Sequence, residues 1–274
     1  MTHHACDLCG TDTPLDIGLP ETDAIGVCST CGFVYVPERR SVAEIAKAWD
    51  ELYASGAYDP NWPGVKARLW YVAEWLAQLD GKGEWWSRKN VLDVGAGTGF
   101  FLDEARRRGA YPVGLEPRLA NVGMVKSRDI SCFSGSVTAD KPLYGKHHVI
   151  TLLWTLENCG DCMEMLRFAA NSLLQGGHVV VATGSRILVP YKKRFRDYMT
   201  GETPPDMHAS RWSCNSLAEA GRRAGMRVVR ENDWVNNEWL VVCFEKGEAD
   251  PFAFEHDDPQ AVVEYFRRWS VQWP

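Results

Sequence analysis

Long apolar runs are missing from this sequence. No uninterrupted apolar segment approaches the roughly 18 residues that a membrane-spanning helix needs. The opening residues, Met1–Cys6, also lack the basic start and apolar stretch that are typical of a signal peptide. We therefore expect a cytoplasmic protein without a membrane span. In that reducing compartment, the nine cysteines are expected to be thiols or metal ligands rather than a disulfide framework.

Positive charge is also scarce. Lys and Arg number 30 against 36 Asp and Glu, and the net charge of −6 argues against a broad nucleic-acid-binding face. The segment Thr2–Val36 contains no Lys or Arg at all, so this end of the chain is acidic. Hydrophobic residues make up 45% of the chain, which is ample for a core and excludes general disorder. A length of 274 residues fits one large domain, or one domain with a small appendage.

Four of the cysteines form two closely spaced pairs. Cys6-x-x-Cys9 and Cys28-x-x-Cys31 are separated by eighteen residues, and each pair is followed by a glycine. Two such knuckles supply four thiolates in a tetrahedron, which is a zinc signature. Four sulfur ligands leave no open position for substrate or water, so the predicted role of zinc is structural. Redox-active cysteines or a cluster that no longer binds metal are the alternatives.

Beyond the cysteines, the hydrophobic pattern predicts helices first and then an alternation of strands and helices. Two amphipathic stretches form a helical lead-in, Ser41–Ala54 and Val65–Leu79. The predicted strands are Asn90–Val94, Tyr111–Leu115, Ser131–Ser134, His148–Leu153, His178–Thr183, Arg227–Asp233 and Glu238–Glu245. The predicted helices are Phe100–Arg108, Leu119–Ser127, Cys162–Leu174, Ser213–Ala224 and Pro259–Trp269.

This alternation predicts an α/β fold, Rossmann-like, with a mostly parallel seven-stranded sheet. Its last two strands, joined by Val235-Asn236-Asn237, are expected to form an antiparallel hairpin. We predict a zinc ribbon over residues 1–37, a lead-in or lid over 38–88, the main domain over 89–250 and a C-terminal helix over 251–274.

The segment Val91–Gly99 carries the strongest functional signal. An apolar strand ends near Asp93, and Gly95, Gly97 and Gly99 follow in a turn before the next helix. Such glycines let the backbone approach a ligand closely. Glu116 follows the next strand and is placed to accept both ribose hydroxyls of a nucleoside. The dinucleotide fingerprint G-x-G-x-x-G does not fit, because these glycines are spaced two apart.

The Asp-x-Gly-x-Gly-x-Gly spacing closely resembles the cofactor loop of class I S-adenosylmethionine (SAM) methyltransferases. The resemblance implies SAM as cofactor and a sheet that closes with an antiparallel hairpin. The cofactor-binding residues that it implies are Tyr53, Tyr58, Asp93, Gly95, Ala96, Gly97, Gly99, Glu116, Pro117, Ser136, Val137, Leu153 and Trp154.

The resemblance also implies individual roles for these residues. Asp93 would organise the loop or contact the methionine end of the cofactor. Ser136 and Val137 would flank the adenine, where many relatives have an Asp. Leu153 and Trp154 end the fourth strand near the sulfonium, although Trp154 fits a core position equally well. Tyr53 and Tyr58 would close over the cofactor, with lid or core packing as the alternative.

A general base is predicted from the loop between the fifth strand and the helix that begins at Ser213. Leu156-Glu157-Asn158 resembles the Leu-Glu-His of many relatives but has Asn in place of His. His208 is therefore the candidate base, since an imidazole with a pKa near ~6.5 takes up a proton at neutral pH. Asp206 is near enough in sequence to orient it. The alternative is a surface histidine in a long loop.

Two further motifs remain ambiguous. The basic run Tyr191–Arg196 fits either a phosphate site or a solvated helix face. The third C-x-x-C, Cys159–Cys162, fits either a redox pair near a helix start or a simple turn and helix cap.

The order of zinc knuckles, helical lead-in and SAM domain resembles the zinc-containing sugar C-methyltransferases. Cys31-Gly-Phe-Val-Tyr35, the Tyr53/Tyr58 segment and the His208 loop share in this resemblance. Two departures stand out: their large C-terminal domain has no counterpart after Asp250, and their catalytic Glu-His pair is Met207-His208 here.

We therefore predict a SAM-dependent methyltransferase whose partner is a small polar acceptor, such as a nucleotide-linked sugar, glycan or secondary metabolite. Carbon and oxygen acceptors both remain open. The alternative enzyme is a zinc-ribbon RNA methyltransferase, against which the acidic ribbon argues, since phosphate binding shows as clustered Lys and Arg. A non-enzymatic SAM-binding module is the third possibility.

Overall fold

We analysed a computed structural model of the chain. It describes residues 1–137, 146–189, 191, 193–200, 205–232, 238–247 and 256–274. The predicted hairpin loop Val235–Asn237 lies outside the described residues.

The N-terminal part contains short strands followed by two helices. The strands are β1 Thr2–His3, β2 Pro14–Leu15, β3 Gly26–Cys28, β4 Val34–Tyr35 and β5 Glu38–Arg39. The helices are α1 Val42–Ser55 and α2 Pro63–Ala77. Ser41 caps α1: its hydroxyl accepts the amide of Glu44, and the Glu44 carboxylate accepts the amide of Ser41.

The rest of the described chain alternates strands and helices. Its strands are β6 Asn90–Val94, β7 Tyr111–Glu116, β8 Ser131–Ser134, β9 His147–Leu153, β10 Leu173–Thr183, β11 Ser210–Arg211, β12 Met226–Glu231 and β13 Leu240–Lys246. Its helices are α3 Phe100–Arg107, α4 Leu119–Lys126, α5 Cys162–Asn171, α6 Phe195–Thr200, α7 Cys214–Arg223 and α8 Pro259–Gln272.

Over the described residues, seven strands form the main sheet in the order β12-β13-β10-β9-β6-β7-β8. All neighbours are parallel except the two pairs that involve β13, which runs antiparallel to β10 and β12. The predicted Rossmann-like sheet with a closing antiparallel hairpin is therefore confirmed. The chain leaves β6 in one direction, through β7 and β8, and returns to its other side as β9. This topological switch places a crevice beyond the carboxyl ends of β6 and β9, where α/β folds bind ligands.

The sequence pattern places most elements within a few residues, and the departures have local causes. β10 begins at Leu173, before the predicted His178, because its pairing with β9 continues past an irregularity between those two residues. α5 consequently ends at Asn171 instead of Leu174. The helix α6 was not predicted, since Phe195 and Met199 are its buried residues and too few turns repeat the pattern.

The N-terminal strands are not packed as a separate unit. A second sheet has the order β11-β4-β3-β2, so a strand from far along the chain completes it. The helix α8 covers the other side, where Phe266 and Trp269 join a buried cluster with Ile17 and Val27. Arg267 also donates to the carbonyl of Ile17 at 2.8 Å. The ribbon residues and the C-terminal helix, which the sequence predicts to be separate segments, thus share one buried cluster.

None of the helices in the described part of the chain combines the length and the apolar character that crossing a membrane requires.

Candidate active site and metal centre

A cleft of about 1470 Å³ opens at the carboxyl ends of β6, β7 and β9. It brings together nearly all of the site residues predicted from the sequence. Those that line it are Tyr53, Tyr58, Asp93, Gly95, Ala96, Gly97, Glu116, Pro117, Ser136, Val137, Leu153, Trp154 and His208. Gly99 and Asp206 are not among these lining residues. Gly99 packs against α4, where an added Cβ would lie 3.0 Å from Val125.

The glycine loop follows β6 with a backbone that other residues rarely adopt. Gly95 and Gly97 have φ angles of +76° and +53°. A Cβ on Gly95 would lie 2.4 Å from Oγ1 of Thr155, so the loop passes too close to its neighbour for any side chain. Gly97 has no neighbour within 4 Å of a Cβ position, so its backbone is open to a ligand.

Glu116 ends β7 beside this loop and is buried. Its carboxylate accepts the amides of Gly97 and Arg118, both at 2.9 Å. Burial raises the pKa of Glu116, while these amide donors act in the opposite direction. The arrangement gives a carboxylate that is fixed in place at the cleft wall, as recognition of a ribose requires.

Asp93 lies beneath the loop, and only 3% of it is exposed. Thr151 donates to its carboxylate at 2.6 Å. Burial, opposed by the Thr151 hydrogen bond and helped by the nearby Glu116, raises the pKa of Asp93 to about 7. A carboxyl group so enclosed between two strands is suited to organising the loop.

Trp154 follows β9 with a φ of +53°, an uncommon value for a residue other than glycine. The Arg68 guanidinium lies over its ring at 4.2 Å from the centroid. A residue held in the left-handed region needs support from its surroundings, and such positions are frequent at functional sites. The ring therefore forms part of the cleft wall at the end of β9.

An aromatic cluster from α1 and the following turn covers one side of the cleft. Tyr53 and Tyr58 meet edge to face at 5.4 Å, and Trp49 lies 5.7 Å from Tyr58. The Arg118 guanidinium lies 4.4 Å above the Tyr53 ring and donates to Asp50 at 2.6 Å. These contacts attach α1 to the loop after β7, so the two tyrosines both pack together and face the cleft.

His208 lies on the other side of the cleft, with its Nδ1 at 2.7 Å from Oγ of Ser185. The expected pairing of His208 with Asp206 needs correction. Both carboxylate oxygens of Asp206 instead accept from Arg40, one of them at 2.9 Å. Asp206 lies in a 3-10 turn, Pro205–Met207, that ends directly before His208. The turn places the Asp206 carboxylate beside Arg40, which follows β5. Ser185 thus holds the imidazole.

Ser185, Arg40 and Glu157 are cleft residues that sequence reasoning did not assign to the site. Ser185 follows the carboxyl end of β10, and the rule that ligands bind at this edge of the sheet would have drawn attention to it. Arg40 gives no such signal, because its partner is 166 residues away. Glu157 belongs to the Leu-Glu-Asn motif, and the sequence gives no separate signal that its carboxyl group lies in the cleft.

Glu157 supplies a testable pH dependence. Burial raises its pKa to about 7, and only 1% of the residue is exposed. Between the ordinary glutamate pKa and this value the folded state binds more protons than the unfolded state, so stability falls as pH rises from about 4.5 to about 7. The Glu157→Gln variant lacks this titration. Its free energy of unfolding, relative to that of the unsubstituted protein, should therefore be about 3 kcal/mol higher at pH 7 than at pH 4.5. Melting temperatures over this range measure it.

The exposed Glu84→Gln variant is the matched control for this comparison. Parallel pH profiles for Glu157→Gln and the unsubstituted chain would contradict the assignment.

The four N-terminal cysteines form a compact cluster. Their sulfur atoms all lie within 4.8 Å of one another, with Cys6 and Cys31 at 3.6 Å and Cys9 and Cys28 at 3.4 Å. A zinc ion with Zn–S bonds of about 2.3 Å needs sulfur–sulfur edges of about 3.8 Å, so this cluster could bind structural zinc. Cys6, Cys28 and Cys31 are buried, which suits a closed site.

The third cysteine pair has a different environment. Burial raises the pKa of both Cys159 and Cys162. The Cys159 thiol donates to the carbonyl of Leu156 at 3.0 Å. Raised thiol pKa values disfavour the reactive thiolate, so this geometry supports the turn and helix cap over the redox pair.

Comparison with known proteins identifies the family to which the chain belongs. A family model described as a methyltransferase domain matches residues 71–231. The ubiquinone biosynthesis O-methyltransferase of Vibrio parahaemolyticus is 29% identical over 161 residues, which cover 56% of this chain and 65% of that protein. The chain thus spans less than two thirds of that relative.

Solved structures share the fold at lower identity. A chain in the complex that contains the Haloferax volcanii Trm112 methyltransferase activator aligns with a TM-score of 0.57 and 18% identity, over 73% of this chain and 98% of its own. A SAM-dependent methyltransferase from Thermotoga maritima aligns with a TM-score of 0.53 and 17% identity, over 74% and 98%. Because the family model covers more than half of the chain, the protein belongs to the SAM-dependent methyltransferases of this family, and SAM is its cofactor.

Proposed function

We propose that the protein transfers the methyl group of SAM to a small polar acceptor, such as a nucleotide-linked sugar, and that His208 is the general base. Bound SAM would supply the activated methyl group: the acceptor atom would form a bond to the methyl carbon as the carbon–sulfur bond breaks, with S-adenosylhomocysteine as the leaving group. The proton of the acceptor passes to His208. Because SAM already carries an activated methyl group, the protein supplies orientation and removes the proton.

The contact between His208 and Ser185 is the observation that carries this proposal. In the tautomer whose Nδ1–H donates to the Ser185 hydroxyl, Nε2 is the basic nitrogen of the imidazole. The same cleft holds the glycine loop and Glu116, which fit the cofactor. A base and a cofactor loop that line one cleft are what an acid–base-assisted methyl transfer requires.

The sugar acceptor is supported by the order of ribbon, lead-in and SAM domain, and by the polar lining on the His208 side. Arg40, Asp206 and Arg211 lie on or next to that side, so a hydroxyl-rich ligand would meet hydrogen-bonding groups. Lys193, from the basic run, is exposed and lines the cleft as well, where it suits a phosphate. Lys192 lies outside the described residues.

A phenolic hydroxyl is the second candidate acceptor. The relative named above is a ubiquinone biosynthesis O-methyltransferase, and several aromatic rings line the cleft here. Trp154 and Trp239 meet edge to face at 6.1 Å, a surface on which a flat ring could stack. The RNA alternative has less support, because the ribbon segment contains no Lys or Arg.

The test combines an acceptor screen with a His208→Ala variant. We expect SAM binding by calorimetry and release of S-adenosylhomocysteine with one acceptor class, nucleotide-linked sugars being screened first, phenols second and RNA third. Turnover by His208→Ala should fall by about a hundredfold, since a positioned base contributes at least that much, while its SAM affinity stays unchanged.

His148→Ala is the matched histidine control, because this residue lies near the amino end of β9, away from the cleft, and its Nδ1 accepts a hydrogen bond from the amide of Asn90. Equal turnover by His208→Ala and the unsubstituted enzyme would refute the base assignment. Turnover with RNA alone would refute the acceptor.

A further inference from the structure

The His208 segment is held by the cysteine-rich N-terminal part of the chain, here called the ribbon (residues 1–37). We infer that the ribbon is the positioning element of the acceptor side of the cleft: its folding around the metal fixes His208, while the cofactor side is built without it. The reading of His208 as a base rests on the proposed function. The positioning itself rests on the contacts described next.

Backbone pairing is the first of these contacts. The strand β11 adds to the edge of the ribbon sheet, with Ser210 opposite Tyr35 and Arg211 opposite Val34. The amide of Val36 donates to the carbonyl of Ala209 at 2.9 Å, directly after His208. The backbone that carries the imidazole is therefore the last strand of the ribbon sheet. If β4 unfolds, β11 has no other strand to pair with among the described strands.

Aromatic packing links the metal cluster to the same segment. Phe33 follows ligand Cys31 by two residues, and its ring packs against Trp212 at 4.9 Å with both side chains fully buried. The amide of Trp212 donates in turn to the carbonyl of Ser185 at 2.9 Å. Ser185 is the residue whose hydroxyl contacts His208. Trp212 thus connects the Ser185–His208 contact to the ribbon.

Two arginines directly after the ribbon complete the attachment. Arg40 forms its two-bond ion pair with Asp206 at the start of the His208 segment. Arg39 is only 3% exposed, pairs with Asp7 and donates to the carbonyl of Gly160 at 2.5 Å. Asp7 follows ligand Cys6, so this buried pair ties the first knuckle to the loop beyond β9. Breaking a buried ion pair by removing one partner is strongly destabilising, so this pair should keep the first knuckle attached to that loop.

The cofactor side has its own support within the main sheet. The amide of Gly95 donates to the carbonyl of Leu115 at 2.8 Å, and that of Gly97 donates to Glu116. These bonds join β6 to β7 and involve no ribbon residue. The two halves of the cleft are therefore supported by different parts of the chain.

The first experiment compares zinc-loaded and chelator-treated full-length protein by hydrogen–deuterium exchange. We expect amides of residues 205–212 to exchange at least tenfold faster after zinc removal, while amides of β6, β9 and β10 change little and SAM affinity changes by less than about threefold. Unchanged exchange in residues 205–212 after zinc loss would overturn the inference.

Because loss of zinc could loosen the whole chain, a second experiment keeps the metal in place. Arg40→Asp and Asp206→Arg each put like charges together and should speed exchange in residues 205–212 by about tenfold. The double variant restores an opposite pair and should return exchange to within about threefold of the unsubstituted protein. Arg227→Ala, which breaks a pair between β12 and β13, is the matched control and should leave this segment unchanged.

These readouts need no acceptor, so they separate the two proposals. Exchange that follows the expected pattern, together with full turnover by His208→Ala, would keep the positioning role and refute the base. A double variant that exchanges no more slowly than either single variant would refute the positioning role, whatever His208 does.

Discussion

Replacing Cys28→Ser is expected to remove zinc from the protein and to lower its melting temperature by more than about 10 °C. Structural zinc contributes about 10–16 kcal/mol to small zinc-dependent peptides, and one missing thiolate should forfeit a large part of that. For domains of this size, each kcal/mol shifts the melting temperature by about 2–4 °C. The effect should extend to the segment that carries His208, because Phe33 and Trp212 belong to the same buried cluster.

Thermal melts paired with zinc analysis measure this effect, and Cys159→Ser is the matched control. The Cys159 thiol donates to the Leu156 carbonyl, a bond that a serine hydroxyl can keep, and it lies outside the four-cysteine cluster. The control should retain one zinc per chain and nearly its full melting temperature. Zinc content and melting temperature that both survive in Cys28→Ser would show that these four cysteines are not a structural metal site.

Replacing Gly95→Ala is expected to weaken SAM binding by at least a hundredfold. The left-handed backbone at this position costs a residue with a Cβ roughly 1–2 kcal/mol. The added Cβ would also lie 2.4 Å from Oγ1 of Thr155. Thr155 cannot turn away without loss, because that hydroxyl donates to the carbonyls of Val94 and Leu153. The loop must therefore shift, and a tenfold loss of affinity corresponds to only about 1.4 kcal/mol.

Calorimetric titration with SAM tests this expectation, with Gly176→Ala as the matched control. Gly176 has a φ of +67° and no neighbour within 4 Å of a Cβ, so the control carries the backbone strain without the clash. It should lose some stability and keep its SAM affinity. Comparable affinities for Gly95→Ala and Gly176→Ala would mean that the loop after β6 does not contact the cofactor.

The sheet, the glycine loop after β6 and the cysteine cluster could be predicted because each depends on local patterns. Val91, Leu92 and Val94 form an apolar run before the glycines, and the run alone indicates a buried strand. Within each pair the two cysteines lie three positions apart, and this spacing alone indicates a cluster that could bind zinc.

What could not be predicted depends on contacts between distant residues. The partner of Asp206 is one example. Nearness in sequence favours His208 as the partner, whereas the fold brings Arg40 into reach. The addition of β11 to the ribbon sheet is another. A strand of two residues has no period that a sequence pattern could reveal, and its partner lies near the other end of the chain.

The completion of the ribbon sheet by β11 and its cover by α8 also constrains the order in which the chain can fold during synthesis. The ribbon is synthesised before the main sheet, whereas β11 follows five of the seven main-sheet strands and α8, the helix that shields Ile17 and Val27, follows all seven. Until then, the nascent ribbon presents an open strand edge and an uncovered apolar face. Metal capture by the four cysteines can precede that closure, whereas the placement of the His208 segment cannot.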